Sequence, residues 1–343
     1  MIRFRNILTG VCFVLMSVST AAHADGLLRV SGTKIVNDHG QEVILRGMGL
    51  GGWHVQEGYM FGTSSFANAS WEIRKKIVDL VGTANADSFY AAFHANFVTR
   101  RDIERLAQLG FNSVRMPMHF ERFVSLTSSD GWNETGFVEM DSLLRWCGDN
   151  KMYLILDLHA APGGQSRDNI SDYNPAYPSL WESEENRALT ASLWKRLAQR
   201  YANEPWIGGY DLLNETHWTL GTNVLRSMMT RITDSIRTVD RNHIVFIEGN
   251  DYANNFAGLT PAWDDNMVYS FHKYWATYDI GNYISMSNTY NRPLWMGESG
   301  ENSNAWFTGF IRTLETARVG WSWWTLKKFE TTAGPFSVAN TPE

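Results

Sequence analysis

Cysteine is nearly absent from this sequence, and so are blocks of positive charge. Only two cysteines, Cys12 and Cys147, occur among 343 residues, which excludes a cysteine-based zinc module, a disulfide framework and a paired-thiol redox motif. No run of Lys or Arg exceeds three residues, and the formal net charge is -6 at pH 7. A nucleic acid is therefore not expected as a partner, because its phosphate backbone requires a basic surface.

The first 24 residues have the pattern of an export signal. Arg3 and Arg5 precede a mostly apolar run, residues 7–18, that is too short to span a bilayer comfortably, and Ala22-His23-Ala24 fits the rule for signal cleavage. We predict cleavage after Ala24, which removes two Arg and changes the net charge to -8. The mature protein is then expected to be secreted or periplasmic with no membrane attachment, and an uncleaved N-terminal anchor is the alternative.

Strand-like runs alternate with amphipathic helical stretches along the rest of the chain, an order typical of parallel βαβ units. The predicted strands are Val43–Met48, Asn112–Met116, Met152–Leu158, Gly208–Leu213, His243–Glu248, Met267–Phe271, Leu294–Gly297 and Val319–Trp324. The predicted helices are Arg100–Leu109, Phe137–Asp149, Glu184–Tyr201, Val224–Val239 and Ala305–Ala317. Eight strands predict an α/β fold of the (β/α)8 or TIM-barrel type, as a single domain over residues 25–343; an open doubly wound sheet is the alternative.

Two expectations concern the ends of this barrel. Residues 25–41 predict an N-terminal hairpin that turns at Asp38-His39-Gly40. The 19 residues after Trp324 contain one Gly and two Pro and no helical apolar repeat, so the last helix of the barrel is expected to be missing. We therefore expect bare apolar outer faces on the eighth and first strands, and a chain that is a fragment of a longer gene product. The alternative is that residues 71–81 or the hairpin cover the gap.

Polar and aromatic residues stand at the carboxyl ends of most predicted strands. In a barrel these ends meet at one rim, where side chains face the loops. The residues concerned are Arg115, His159, Asn214, Glu215, Glu248, His272, Tyr274, Glu298 and Trp324. Taken singly, each of these residues could have a purely structural role; a histidine, for example, could be a hydrogen-bonded residue of the core. The two glutamates Glu215 and Glu298 are harder to explain in that way, because a carboxylate that leaves water costs several kcal/mol without a partner.

Two carboxyl groups that face each other across a barrel mouth can break an acetal. One, when protonated, gives its proton to the leaving oxygen, and the other attacks the anomeric carbon or activates water. This chemistry needs no metal and no cofactor, and we predict neither. Asp157-Leu158-His159 is the nearest candidate for metal ligands and lacks a second spaced histidine, and the Gly-x-Ser-x-Gly elbow of a serine hydrolase is absent. A sugar-binding barrel without catalytic activity is the alternative.

An ordered set of motifs resembles glycoside hydrolase family 5, the cellulase-like retaining β-glycosidases, from about Ile44 to Lys328. The motifs are Arg46-Gly47-Met48-Gly49-Leu50-Gly51-Gly52-Trp53, Asn112-Ser113-Val114-Arg115-Met116-Pro117, Asp157-Leu158-His159-Ala160-Ala161-Pro162-Gly163, Leu213-Asn214-Glu215, His272-Lys273-Tyr274, Gly297-Glu298 and Trp323-Trp324. The first and third resemble the branch that contains bacterial endoglucanases and exo-β-1,3-glucanases.

The resemblance implies a role for each matching residue. Glu215 would be the general acid/base and Glu298 the nucleophile, held ionised and oriented by its neighbours. The substrate-binding and positioning residues would be Glu57, Arg115, His159, Asn214, His272, Tyr274 and Trp324. The implied protein is a secreted, monomeric enzyme that cleaves a β-glucan by double displacement, with β-1,4 linkages favoured and β-1,3-glucan or another β-glycan as the alternative.

Overall fold

The structure, a computed structural model, describes residues 26–125, 128–221, 223–274 and 277–339. The predicted signal sequence and its cleavage site lie outside these residues. The strands are β1 (Arg29–Ser31), β2 (Lys34–Val36), β3 (Arg46–Gly49), β4 (Ser113–His119), β5 (Tyr153–Ala160), β6 (Ile207–Asp211), β7 (Val245–Glu248), β8 (Met267–His272), β9 (Leu294–Gly300), β10 (Gly320–Trp324), β11 (Lys327–Phe329) and β12 (Phe336–Val338). The helices are α1 (Gly58–Phe61), α2 (Ser70–Val81), α3 (Thr83–Phe97), α4 (Arg100–Gln108), α5 (Glu134–Asp149), α6 (Glu184–Tyr201), α7 (Val224–Arg237), α8 (Asn250–Ala253), α9 (Gly281–Tyr290) and α10 (Asn304–Thr316).

Strands β3 to β10 form a closed barrel in which all eight strands are parallel. The barrel closes because β10 pairs with both β9 and β3. All eight residues of β5 are buried, as expected of a continuous apolar run with both faces covered. The predicted TIM barrel is therefore confirmed, and each predicted strand agrees with an observed one to within three residues at either end.

Five helices were not predicted from the sequence. Helices α1 and α8 have four residues each, which is too short for a periodicity argument. The other three lie on the surface, since α2 buries only Ile73, α3 only Ala86 and α9 only Ser287. Helices α3 and α9 also lack a clear apolar stripe for a periodicity argument to detect. No helix of the described residues is long and apolar enough to span a membrane.

The N-terminal hairpin is present, and the chain turns a second time after it. Strands β1 and β2 pair antiparallel around Gly32, whose φ of 60° suits glycine, a turn that the sequence did not predict. The predicted turn at Asp38-His39-Gly40 is also present, closed by a hydrogen bond from the Gly40 N–H to the Asn37 oxygen at 2.9 Å, and Val36 and Glu42 pair antiparallel across it. Ile35 of the hairpin and the preceding Leu28 pack with residues at the starts of the barrel strands, so this segment closes the bottom of the barrel.

No helix follows β10 in the described chain, which ends at residue 339, in agreement with the predicted absence. The expected bare patch, in contrast, is wrong. Trp321 and Trp323 of β10 are 6% and 8% exposed. The Trp323 ring packs against the aromatic side chains of α10, and Trp321 meets Phe111 with 6.0 Å between ring centroids. These contacts come from α10 and from the end of α4, which are not the covers that the sequence suggested.

Candidate active site

Glu215 and Glu298 meet at the carboxyl-terminal mouth of the barrel, and both are buried. Glu298 lies in β9, and Glu215 follows β6, where its N–H donates to Glu248 Oε2 at 2.6 Å. One oxygen of each glutamate and one nitrogen of His272 all lie within 4.8 Å of one another. This short separation fits a nucleophile and acid/base pair, about 5–5.5 Å apart in retaining glycosidases. It does not fit the about 6.5–9.5 Å that leaves room for water in inverting enzymes.

Two side chains hold Glu298. The fully buried Arg115 of β4 forms an ion pair with Glu298 Oε1, and the Tyr274 hydroxyl donates to Oε2 at 2.9 Å. The sequence-derived expectation that Arg115 and Tyr274 lie against Glu298 therefore agrees with the structure. Both oxygens of the carboxylate are directed by these bonds, which fixes its orientation toward the cavity.

Arg115 is the centre of a buried charge network. Its Nε lies 2.9 Å from Asp211, its Nη2 lies 2.9 Å from Glu248 and 3.2 Å from Asp157, and the same nitrogen donates to Asn214 Oδ1 at 2.8 Å. Burial opposes the charge of Arg115, but its surrounding carboxylates outweigh this effect and raise its pKa. Burial and the neighbouring Glu248 raise the pKa of Asp211 to about 7.

His272 lies between Glu215 and Glu248. Its Nδ1 is 2.7 Å from Glu215 Oε1, and its Nε2 is 3.2 Å from Glu248. Burial disfavours the charged imidazole, but Glu248 and Glu298 outweigh it and raise the His272 pKa. For Glu215, burial alone would raise the pKa, yet the bond to His272 lowers it. In the free site this contact favours a proton on His272 over one on Glu215, whereas the sequence led us to expect a protonated Glu215.

His159 and Trp324 form one wall of the site. Their rings stack in parallel, with 5.2 Å between centroids and 6° between planes. His159 Nδ1 lies 2.8 Å from Asp157 Oδ2, and burial lowers the His159 pKa to about 4, so this imidazole is neutral. The Trp324 indole N–H donates to the Tyr59 hydroxyl at 2.6 Å, which fixes the ring at the cavity.

A cavity of about 810 Å³ opens over the two glutamates and is lined by seven of the predicted site residues. These are Glu57, His159, Glu215, His272, Tyr274, Glu298 and Trp324. Glu57 accepts a hydrogen bond from Asn169 Nδ2 at 3.0 Å. Burial, together with the charges of Glu298 and Glu215, raises the Glu57 pKa to about 8. At the rim, the hydroxyl of Tyr252 in α8 donates to Asp168 Oδ2 at 2.7 Å and joins α8 to the segment after β5.

Sequence reasoning missed five residues of this site: Tyr59, Asp168, Asn169, Asp211 and Tyr252. Asp211 carried a usable signal, because it stands inside the predicted strand Gly208–Leu213, where an acid must find a buried partner. Asp168 and Asn169 lie between β5 and α6, and Tyr252 lies in the short helix α8; nothing in their sequence context indicates that they meet.

Fold and site together define a class of protein. A closed (β/α)8 barrel with two closely spaced, buried carboxyl groups at the carboxyl ends of its strands has the architecture of barrel-type retaining glycosidases. The family model described as Cellulase (glycosyl hydrolase family 5) matches residues 75–330. The chain belongs to glycosyl hydrolase family 5.

Known relatives agree with this assignment. The chain is 35% identical over 250 residues to a β-xylosidase of Phanerodontia chrysosporium, a match that covers 72% of this chain and 52% of the relative. It is 30% identical over 207 residues to endoglucanase C of Acetivibrio thermocellus, with 57% of each protein covered. The chain thus spans about half the length of these curated relatives. The rutinosidase of Aspergillus niger has the same fold, with a TM-score of 0.68, 18% identity, and coverage of 86% of this chain and 93% of that one.

Proposed function

We propose that this protein is a secreted retaining glycoside hydrolase that cleaves β-glucosidic bonds in a β-glucan. The observation that carries the proposal is the pair Glu215 and Glu298, within 4.8 Å of each other across His272. Arg115 and Tyr274 already orient one member of the pair, and His272 supplies a proton to the other. A sugar-binding barrel without activity needs none of these arrangements.

The first chemical step uses both glutamates. Glu298 attacks the anomeric carbon while the bond to the leaving oxygen breaks, and a covalent glycosyl–enzyme forms. The leaving oxygen takes a proton from Glu215, which receives it from His272 Nδ1 at 2.7 Å. In the second step Glu215 accepts a proton from water, the water oxygen attacks the same carbon, and Glu298 leaves. Two displacements on one carbon give net retention of configuration.

The proposed substrate is a β-1,4-glucan, supported by the similarity to endoglucanase C. A β-1,3-glucan is the alternative within the same class. The similarity to a β-xylosidase favours a β-xyloside as a second candidate. Reaction products from a panel of β-1,4-gluco-, β-1,3-gluco- and xylo-oligosaccharides would distinguish these substrates and show whether cleavage is internal or terminal.

The roles of the glutamates are tested with Glu215→Gln and Glu298→Gln. Both variants should fold and lose hydrolysis of an unactivated glucan. With an aryl glycoside whose leaving group needs no proton, Glu215→Gln should still release aglycone in a burst, and Glu298→Gln should not. Glu185→Gln makes the same change at an exposed position of α6 and serves as the control. Equal loss of the burst in both site variants, or an inverted product seen by NMR, would contradict the proposal.

A further inference from the structure

A second cavity, of about 990 Å³, lies beside the barrel and contains a group of potential metal ligands. His54 comes from the loop after β3, His94 from the last turn of α3, and Glu139 from α5. One ligand atom from each of the three lies within 4.8 Å of the others. Among the described residues, the one other such group is Glu215, His272 and Glu298, which belongs to the active site.

Three buried imidazole nitrogens of this group lack a hydrogen-bond partner within the protein. The His54 side chain is fully buried, and neither of its ring nitrogens has a partner of acceptable geometry, although Nε2 lies 3.1 Å from Glu139 Oε2. The buried Nδ1 of His94 is also unpartnered. Buried polar atoms in folded proteins are nearly always satisfied, so these nitrogens are available to a ligand that enters the cavity.

We propose that His54, His94 and Glu139 bind a zinc ion that ties α3 to the barrel. Two imidazoles and a carboxylate are ligands that Zn²⁺ favours, with a fourth, water-filled position available in the cavity. Bonds of about 2.0–2.1 Å in tetrahedral geometry place ligand atoms about 3.3 Å apart. His54 Nε2 and Glu139 Oε2 already have nearly this separation, at 3.1 Å, and His94 is close enough to complete the group with a small movement of its ring.

Arg122 gives the proposal a directional test. Its guanidinium forms an ion pair with Glu139 Oε1, while its Nε lies 3.3 Å from Oε2, the oxygen next to His54. This contact orients the carboxylate, but the positive charge of Arg122 also opposes a second cation. Removing that charge should therefore tighten zinc binding, whereas it would loosen a cluster held together only by hydrogen bonds.

The position of the ion explains what it would do. Helices α2 and α3 bury a single residue each, so apolar burial attaches them weakly to the barrel. Helix α2 is linked indirectly to the catalytic cavity, because the Trp71 N–H at its start donates to Asp172 Oδ1 at 2.8 Å, and nearby Asn169 donates to Glu57. Zinc would fasten these two helices to the barrel without touching the catalytic glutamates.

The experiment measures zinc binding by the full chain after treatment with a chelator. Calorimetry should show one Zn²⁺ per chain, Co²⁺ should give the visible bands of a four-coordinate site, and Zn²⁺ should raise the melting temperature. His94→Asn and Glu139→Gln should each weaken binding roughly 100-fold or more. Arg122→Gln should tighten it. His39→Asn removes an exposed histidine and should leave binding unchanged, which controls for adventitious surface sites.

Each outcome decides the proposal. It is overturned if the wild-type chain binds no stoichiometric zinc, if binding survives His94→Asn at full strength, or if His39→Asn abolishes it. If the His94→Asn protein folds poorly, Arg122→Gln provides the test instead. Zinc binding by Arg122→Gln that is weaker than in the wild type would also overturn the proposal. Glycoside hydrolysis at moderate temperature should survive removal of the metal, because the site lies outside the catalytic cavity.

Discussion

Replacing Glu57 by Gln should stabilise the protein while impairing its activity. The Glu57 carboxyl is buried near two other glutamates, and its pKa is raised to about 8 from an ordinary value of 4.5. A folded-state pKa above the unfolded value means that the folded protein holds the proton more tightly. The protonated carboxyl therefore adds to the free energy of unfolding. This contribution is fully present below about pH 4.5 and is lost as the pH rises to about 8.

The size of the effect follows from this shift. Each pKa unit corresponds to about 1.4 kcal/mol, so a shift from 4.5 to about 8 sets a ceiling of about 5 kcal/mol above pH 8 and about 3 kcal/mol at pH 7. Glutamine has the same shape, carries no charge and still accepts the hydrogen bond from Asn169. A gain of about 3 kcal/mol raises the melting temperature of a chain of this size by about 4 °C.

The assay is a series of thermal melts of wild type and Glu57→Gln between pH 4 and pH 8. The difference in melting temperature should be near zero at pH 4 and should grow steadily to pH 8. Glu185→Gln, an exposed position, should show no such trend. A difference that does not change with pH, or a variant that melts below wild type at pH 8, would refute the reasoning.

Three further predictions concern the site. Tyr274→Phe removes a hydrogen bond to the carboxylate of Glu298, worth about 1.5–3 kcal/mol. It should lower kcat about 10- to 150-fold with little change in KM. An unchanged kcat in steady-state kinetics would contradict the role of Tyr274 in orienting Glu298. Arg115→Met leaves buried carboxylates without their cation and should lower the free energy of unfolding, measured with urea, by at least about 3–5 kcal/mol. The loss should be larger at pH 8 than at pH 5, because the carboxylates are more fully ionised at pH 8, and the opposite trend would contradict this prediction. The rate should follow a bell-shaped pH curve whose alkaline limb belongs to the Glu215–His272 pair, and EDTA should not abolish it; complete, metal-reversible loss would favour a metal-dependent reaction.

Sequence reasoning succeeded where one physical rule determined the outcome. A buried parallel strand must be continuously apolar, which located β5, and the carboxyl ends of barrel strands must converge, which brought Glu215 and Glu298 together. It failed where contacts depend on how loops and surface helices pack. Helix α3 has no apolar stripe to detect, and His94, which it carries, meets residues 40 and 45 positions away.

The contact between Glu215 and His272 shows a second limit. The raised pKa of His272 depends on a hydrogen bond of 2.7 Å to Glu215 and on carboxylates from three different strands or strand ends. Sequence spacing places Glu215 and His272 at one rim but does not determine which of their atoms are in contact. Residue types predicted the reaction, whereas the contact that shifts these two pKa values is visible only in the structure.

The network around Arg115 leaves the barrel mouth with more carboxylates than cations, since one guanidinium is shared among several acids from neighbouring strands. Such a surplus creates a negative electrostatic potential in a space largely shielded from water. A glycan that carries carboxylate or sulfate groups would be repelled from this space, whereas a neutral sugar enters freely. The positive charge that develops on the sugar ring in the transition state is attracted. In the proposed reaction, the same buried acids would disfavour charged glycans and favour the step in which the glycosidic bond breaks.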